Sequence, residues 1–321
     1  MKRLRLTTAA VAGFLFLAGS ASAMDGVVAS IKPVHSLVAA VMGDTGTPDL
    51  LVQGAASPHT YSLRPSEARK LDQAKVVIWV GEGMETFLTK PLQSLATGAK
   101  TVSLSQTAGL TVLNLREGGS FELHEHDDHD DHDHDHAHES HDEPHHEGHG
   151  KDMHLWLDPE NARVMVKEIA ATLAEADPTN ASTYQQNANT LDQRLAALIQ
   201  ETSNALADVK DKPFIVFHDA YHYFEDRFGL HAAGSISINP ETPPSAQRVR
   251  EIQHKIAESN ASCVFAEPQF EPGIVSVVTE GTSARTGVLD PLGADLKDGP
   301  DLYFELIGNL AASIKNCLSD L

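Results

Sequence analysis

Eighteen histidines stand in this chain of 321 residues, and their spacing sorts them into two chemically different sets. Eleven fall in the tract HEHDDHDDHDHDHAHESHDEPHHEGH, residues 124–149, beside eleven carboxylates and without a lysine or arginine. They are His124, His126, His129, His132, His134, His136, His138, His141, His145, His146 and His149. Steps such as His132-x-His134-x-His136 permit many weak, interchangeable chelates and specify no single tetrahedral arrangement, so sites should be multiple and selectivity poor. The carboxylates raise the local cation concentration, an attraction that salt screens. They also favour protonated imidazole, whose reference pKa is about 6.5. A metal must displace those protons, so capture by this tract should weaken below neutral pH.

The remaining seven are His35, His59, His154, His218, His222, His231 and His254. Three of them sit where a sheet presents ligands. His59, in GAASPHTYSLRPSEA, follows an expected strand by a few residues. His154, in DMHLWLDPENA, lies just before a capped helix. His218, in PFIVFHDAYHYF, ends a strongly apolar strand. Open α/β sheets bind ligands beyond the carboxyl ends of their strands, and each of these three is delivered to that edge. Asp290, in RTGVLDPLGADL, ends another strand and offers a fourth, oxygen donor, with water as the alternative. Three imidazoles plus a carboxylate or water suit tetrahedral Zn²⁺. Nitrogen-rich ligation disfavours Mg²⁺ and Ca²⁺, and a manganese site should carry more carboxylates. Taken singly, a histidine at a strand end is more often a hydrogen-bonded surface or core group, and His35, His222, His231 and His254 take that reading. His218 and His222 are four apart, as in the zinc-hydrolase motif H-E-x-x-H. Residue 219 is Asp, however, and the segment opens as a strand, so that motif fails on both counts.

Short β-branched runs alternate with helical patterns and position these residues. Strands are expected at 27–33, 49–53, 76–81 and 101–105, then at 214–218, 232–237, 263–266 and 286–289. Helical periodicity lies between them, as at 65–73 and 245–259. Alternation of this kind implies parallel sheets covered by helices. The expected fold class is therefore α/β, in two similar lobes, each with a mostly parallel four-stranded sheet. Between the lobes, Asp177 reads as an N-cap with Pro178 at the first helical position. Tyr184, Ala188, Leu191, Leu195, Leu198 and Ala205 then form one apolar stripe, with a gap at Thr202. The helix so defined, 178–209, would be about 48 Å long and would join the lobes. A second helix, 159–176, precedes it with Asp158 as cap. The expected domains are a signal peptide at 1–23, an N-terminal lobe at 24–176, a linking helix at 177–210 and a C-terminal lobe at 211–321. The insertion 117–152 interrupts the first lobe. It has too few core-forming residues to offset its ordering entropy and is expected to lack order without metal.

The net charge is −21, and the histidine tract alone carries eleven of the negative charges. Such acidity argues against nucleic acid or anionic membrane as partner and suits a small cation. Lys2, Arg3 and Arg5, a short apolar run and Ala21-Ser22-Ala23 read as a cleavable secretory signal, the run being too short for a membrane span. Neither cysteine lies near the cleavage site, so a lipid anchor is not expected. In an oxidising compartment Cys263 and Cys317 either pair, closing a loop of 54 residues, or remain two buried thiols.

HTYSLRPSEA, HLWLDPENA, FIVFHDAYHYFEDRFGL, CVFAEPQF and GVLDPLGADL together closely resemble the ZnuA family, the zinc-binding periplasmic components of ABC importers. The resemblance covers essentially the whole mature chain, and the acidic histidine tract matches many members. It implies a cluster A-I substrate-binding protein, two α/β lobes joined by one long helix, with Zn²⁺ held between them. By motif match, His59 and His154 of the first lobe and His218 of the second become ligands. Asp290 falls where many relatives place a carboxylate ligand that can give way to water. Some relatives carry an acidic residue just before the first histidine; here it is Pro58. Cys263 and Cys317 match a disulfide of such zinc proteins. The implied partners are a membrane permease and, through it, a cytoplasmic ATPase, with other periplasmic zinc chaperones as further candidates; the carrier is expected to be a monomer in the periplasm. Hydrolase activity is not expected. An adhesin or a zinc-storage protein is the alternative, since adhesin-type relatives share the fold. The histidine tract then takes an accessory role, as zinc collector, as sensor of excess, or as a solvated insert of little effect. A helix linking the lobes should resist wide hinge bending.

Overall fold

A computed structural model describes residues 23–116, 121, 150–237, 242–271 and 273–319. The expected signal segment, apart from Ala23, and the whole tract 124–149 lie outside them. Among the described residues no helix is long and apolar enough to cross a membrane.

The first lobe runs β1 (Val27–Ala29), α1 (Lys32–Met42), β2 (Asp49–Leu50), α2 (Pro65–Asp72), β3 (Val76–Trp79), α3 (Thr86–Ser94) and β4 (Lys100–Ser103). Its sheet is fully parallel in the order β2-β1-β3-β4. VVA and VVIW are buried throughout, as strands covered on both faces must be. β1 stops short of the expected 27–33. The chain enters α1 at Lys32 with Pro33 in the first turn, where a missing N–H breaks no helical bond.

The second lobe repeats the plan. It runs β5 (Phe214–Val216), α6 (His222–Phe228), β6 (Ala232–Ser235), α7 (Ala246–Ser259), β7 (Cys263–Ala266), α8 (Gly273–Thr279), β8 (Arg285–Val288) and α9 (Leu302–Leu318). Its parallel sheet has the matching order β6-β5-β7-β8. In both sheets the winding reverses beside the first strand, β1 or β5, which opens a crevice at the carboxyl ends there. Cys263 of β7 and Cys317 of α9 form a disulfide, with Cα atoms 6.1 Å apart.

Between the sheets lie α4 (Pro159–Ala176) and α5 (Ala181–Leu206). Asp158 caps α4 by accepting the Glu160 N–H at 2.8 Å. At 26 residues α5 is about 39 Å long and begins later than periodicity suggests. Pro178–Asn180 is a 3-10 turn instead of the helix start. Asp177 holds the N-cap position of that turn, with Pro178 first in it, and its carboxylate accepts from the Asn180 side-chain amide and the Tyr184 hydroxyl, pinning a corner. A second 3-10 turn, Ala207–Val209, follows α5. The stripe has no gap, because Thr202 is buried and Leu206, not Ala205, completes it.

One apolar core extends from Met24 to Leu318 and takes in α1, α4, α5, α9 and the inner faces of both sheets. Smaller clusters around Val77 and around Val264 cover the outer faces. Polar bonds also cross from lobe to lobe. Trp156 Nε1 donates to the Pro291 carbonyl at 2.8 Å, and the Tyr303 hydroxyl donates to the Trp156 carbonyl at 2.6 Å. Buried Lys32 donates to the carbonyls of Ala294 and Leu296, and Arg227 grips Asp158 with two bonds. Wide opening of the lobes would have to break all of these.

Candidate metal centre

Three different loops carry the imidazoles. His59 lies between β2 and α2, on a loop tied down by Tyr61, whose hydroxyl donates to Glu67 at 2.7 Å and whose ring packs on Phe87. His154 ends the segment leading into the 3-10 turn Leu155–Leu157 and then α4. His218 follows β5 by two residues, at the crevice of the second sheet.

The three rings converge, with centroids 5.2 to 5.7 Å apart. Their candidate ligand nitrogens all lie within 4.8 Å of one another. His154 and His218 are buried, and their Nε2 atoms stand 3.3 Å apart. Two nitrogens bound tetrahedrally to one zinc at 2.0–2.1 Å would be separated by about 3.3 Å. The other ring nitrogen of each meets a carboxylate: His154 Nδ1 with Asp152 Oδ1 at 2.8 Å, His218 Nδ1 with Glu267 Oε1 at 2.7 Å. A carboxylate accepts, so it draws the ring proton to Nδ1 and leaves Nε2 as a lone pair. Two buried lone pairs then face each other, an arrangement that a cation relieves.

Charge and burial tune the three differently. Burial, then the neighbouring imidazoles, holds the pKa of His59 well below the usual value. Burial, then His218, does the same to His154. For His218 burial also acts downward, but the Glu267 charge and hydrogen bond outweigh it and leave the pKa raised. Burial pushes the Asp152 carboxyl up to about 7, against the His154 N–H that it accepts. Tyr221 is fully buried; burial, then the charges of Glu267 and Asp290, holds its hydroxyl well above the usual range, so it stays neutral.

The cavity lined by His59, His154, His218, Trp156, Phe270 and Leu292 measures about 10 Å³. That is room for about one water-sized body. Asp290 is not brought into the imidazole group. Its Oδ1 accepts from the Gln269 side chain and from the Leu292 and Gly293 N–H groups, and its Oδ2 accepts from the Ala294 N–H. These bonds hold the Asp290 carboxylate in its own turn, beside Pro291 and Leu292 of the cavity lining. His35 is buried against the Pro48 carbonyl, His231 and His254 are exposed, and His222 Nδ1 lies 3.9 Å from Asp152 Oδ2. The eleven tract histidines lie outside the described residues.

Sequence reading missed the two orienting carboxylates. Asp152 stands two positions before His154 and was visible only as a neighbour. Glu267 is 49 residues from His218, but the sheet register supplies the link. β5 pairs with β7 as Phe214↔Cys263 and Ile215↔Val264, an offset of 49, and the same offset carries His218 to Glu267. Both carboxylates should matter in solution. Asp152→Asn or Glu267→Gln is expected to lower zinc affinity about 10–100-fold, as loss of such a partner does. The pH profile adds a sign. Above the raised His218 pKa the lone pair is free. As pH falls through it, one proton competes and affinity drops by about tenfold per pH unit. Glu267→Gln removes the charge that raises it, so the fall should begin at lower pH. Titration with zinc at stepped pH reads both effects, and an unmoved onset would contradict the assignment.

Two α/β lobes around one core, with buried imidazoles meeting in a cavity of ionic size at their seam, define a metal-ion solute-binding protein. Comparison with known proteins agrees, and places the chain in the ZnuA family: the model described as zinc-uptake complex component A, periplasmic, matches residues 27–317. The chain is 54% identical to the high-affinity zinc uptake system protein ZnuA of Brucella suis, over 98% of this chain and 97% of that protein. Its fold matches a crystal structure of ZnuA with a TM-score of 0.74 at 26% identity, covering 91% of this chain and 98% of that one. A zinc-bound ZnuA deletion mutant matches with a TM-score of 0.71 at 25% identity, covering 92% and 98%.

Proposed function

We propose that this chain captures Zn²⁺ between its lobes on His59, His154 and His218, with water in the fourth position, and hands it to an ABC permease driven by a cytoplasmic ATPase. The observation that carries this is the pair of Nε2 atoms 3.3 Å apart, each backed through Nδ1 by a carboxylate. The small pocket, about 10 Å³ with room for about one water-sized body, supports a carrier of one ion. A signal cleaved after Ala23 would deliver lobes 24–176 and 211–321, with 177–210 linking them, to the periplasm. A crystal grown with zinc and measured at the zinc absorption edge tests the site directly. Density on the three imidazoles is expected; density elsewhere with the three rings empty would overturn the proposal.

The tract 124–149 acts as an accessory collector of zinc in this reading. Its crowded His and carboxylate side chains offer many weak sites and no unique one. Deleting 124–149 should leave one tight zinc site and remove several weak ones in calorimetry. Loss of the tight site would instead make the tract part of the primary centre.

A further inference from the structure

A single antiparallel bridge closes the base of the insertion that contains the tract. Asn114 and Lys151 form an antiparallel bridge, Leu115 N–H donates to the Gly150 carbonyl at 2.9 Å, and Asp152 N–H donates to the Leu113 carbonyl at 3.0 Å. This neck belongs to the first lobe and leads straight into Asp152 and His154. It is also fastened to the second lobe. Leu113 N–H donates to the Tyr223 hydroxyl, which itself donates to the Asp152 carbonyl. Arg116 makes the larger link. Its Nε meets both oxygens of Asp219 at 3.0 and 2.9 Å, and its Nη2 also reaches Asp219. Its Nη1 and Nη2 take the two oxygens of Glu225 at 2.8 and 2.9 Å. The guanidinium lies 4.0 Å over the Phe121 ring, and Glu225 is buried, its Oε2 also accepting the Ala232 N–H.

Asp219 is the residue after His218, and Ala220 N–H donates to the His218 carbonyl. One guanidinium therefore ties the segment bridged to the approach to His154 to the backbone carrying His218. Nothing in the primary centre needs Arg116 as a ligand, and two buried or half-buried carboxylates are spent on holding it. We infer that Arg116 is a positioning residue, a latch that holds His154 and His218 at ligating distance and so sets how fast the bound ion leaves. The geometry gives the latch a specific chemistry. Arginine spans two carboxylates with a planar fork, which lysine cannot reproduce.

This inference rests on the zinc reading, and the experiment separates the two. Zinc release from the full chain to a fluorescent chelator is timed by stopped flow for the parent, Arg116→Ala, Arg116→Lys and Arg163→Ala. Arg163 makes a two-bond ion pair with Asp192 between α4 and α5, away from the rings, and serves as the control. Truncating a buried charge partner acts chiefly on dissociation, so Arg116→Ala should speed release by at least about tenfold. Arg116→Lys should fall between it and the parent, which keeps the test open if the alanine variant folds poorly. Arg163→Ala should release at the parent rate even if it melts earlier. Cobalt(II) substituted for zinc should show the same visible spectrum in parent and Arg116 variants, because the ligands are unchanged. Release from Arg116→Lys within twofold of the parent, or equal acceleration in Arg163→Ala, would overturn the latch while leaving the zinc site standing. A parent chain without tight zinc would sink both.

Discussion

Replacing His59, His154 and His218 together by alanine should abolish tight zinc retention, with a loss of affinity beyond the 10–100-fold typical of an outer partner. Among the described residues these imidazoles are the group whose ligand nitrogens converge, and the Asp290 carboxylate already accepts from four hydrogen-bond donors. The fold should survive. All three side chains sit on loops beyond strand ends, outside the shared apolar core. The cost falls on Asp152 and Glu267, each left buried without its ring; an unsatisfied buried polar group costs about 1–3 kcal/mol. Single substitutions should rank by burial. His154→Ala and His218→Ala remove carboxylate-oriented rings and should each cost more than His59→Ala, whose ring lies on a partly exposed loop. Competition against a chelator of known affinity, with circular dichroism as the check on folding, decides it. Nanomolar retention by the folded triple variant would refute the site.

Breaking the Cys263–Cys317 disulfide should destabilise the protein by about 4 kcal/mol, the chain-entropy value for a loop of this length. The bond fastens α9, which packs on α1 and α5, to the β7 strand whose next residue is Glu267. Its loss therefore loosens the second lobe at the point where His218 is oriented. Urea unfolding of Cys263→Ala/Cys317→Ala against the parent, both free of metal, measures the difference. Zinc should lift parent and variant alike: a ligand that binds only the folded state at 1,000 times its Kd adds about 4.1 kcal/mol to each. The loaded variant should therefore match the empty parent, with the gap between the two loaded proteins kept. A variant that gains less from zinc than the parent does would show that the tether acts on the ligands as well as on the chain.

Much of this was legible because apolar runs end abruptly in polar residues. In PFIVFHDAYHYF the buried strand stops at Val216, and the first polar side chain after it is a ligand candidate. The α5 stripe was equally plain. What stayed hidden depends on pairing between distant strands or on side chains shared by both lobes. Glu267 becomes a partner of His218 only once β5 and β7 are in register. Asp290 ends a strand as a ligand would, and the backbone N–H groups of its own turn that bind it carry no sequence signal. Arg116 borders a low-complexity tract and carries no local signal; only the juxtaposition of both lobes gives it two carboxylates. Asp177 reads as the cap of a long helix, but it starts a 3-10 turn, and the Tyr184 hydroxyl seven residues on binds the same carboxylate.

The single apolar interior that both halves draw on has a consequence for recognition. Halves held together in this way would give a filled and an empty molecule nearly the same silhouette. A docking protein that must accept the one and ignore the other then has little outline to read. It is left to sense fine relief at the rim of the cavity, where a few side chains tighten or slacken around an ion.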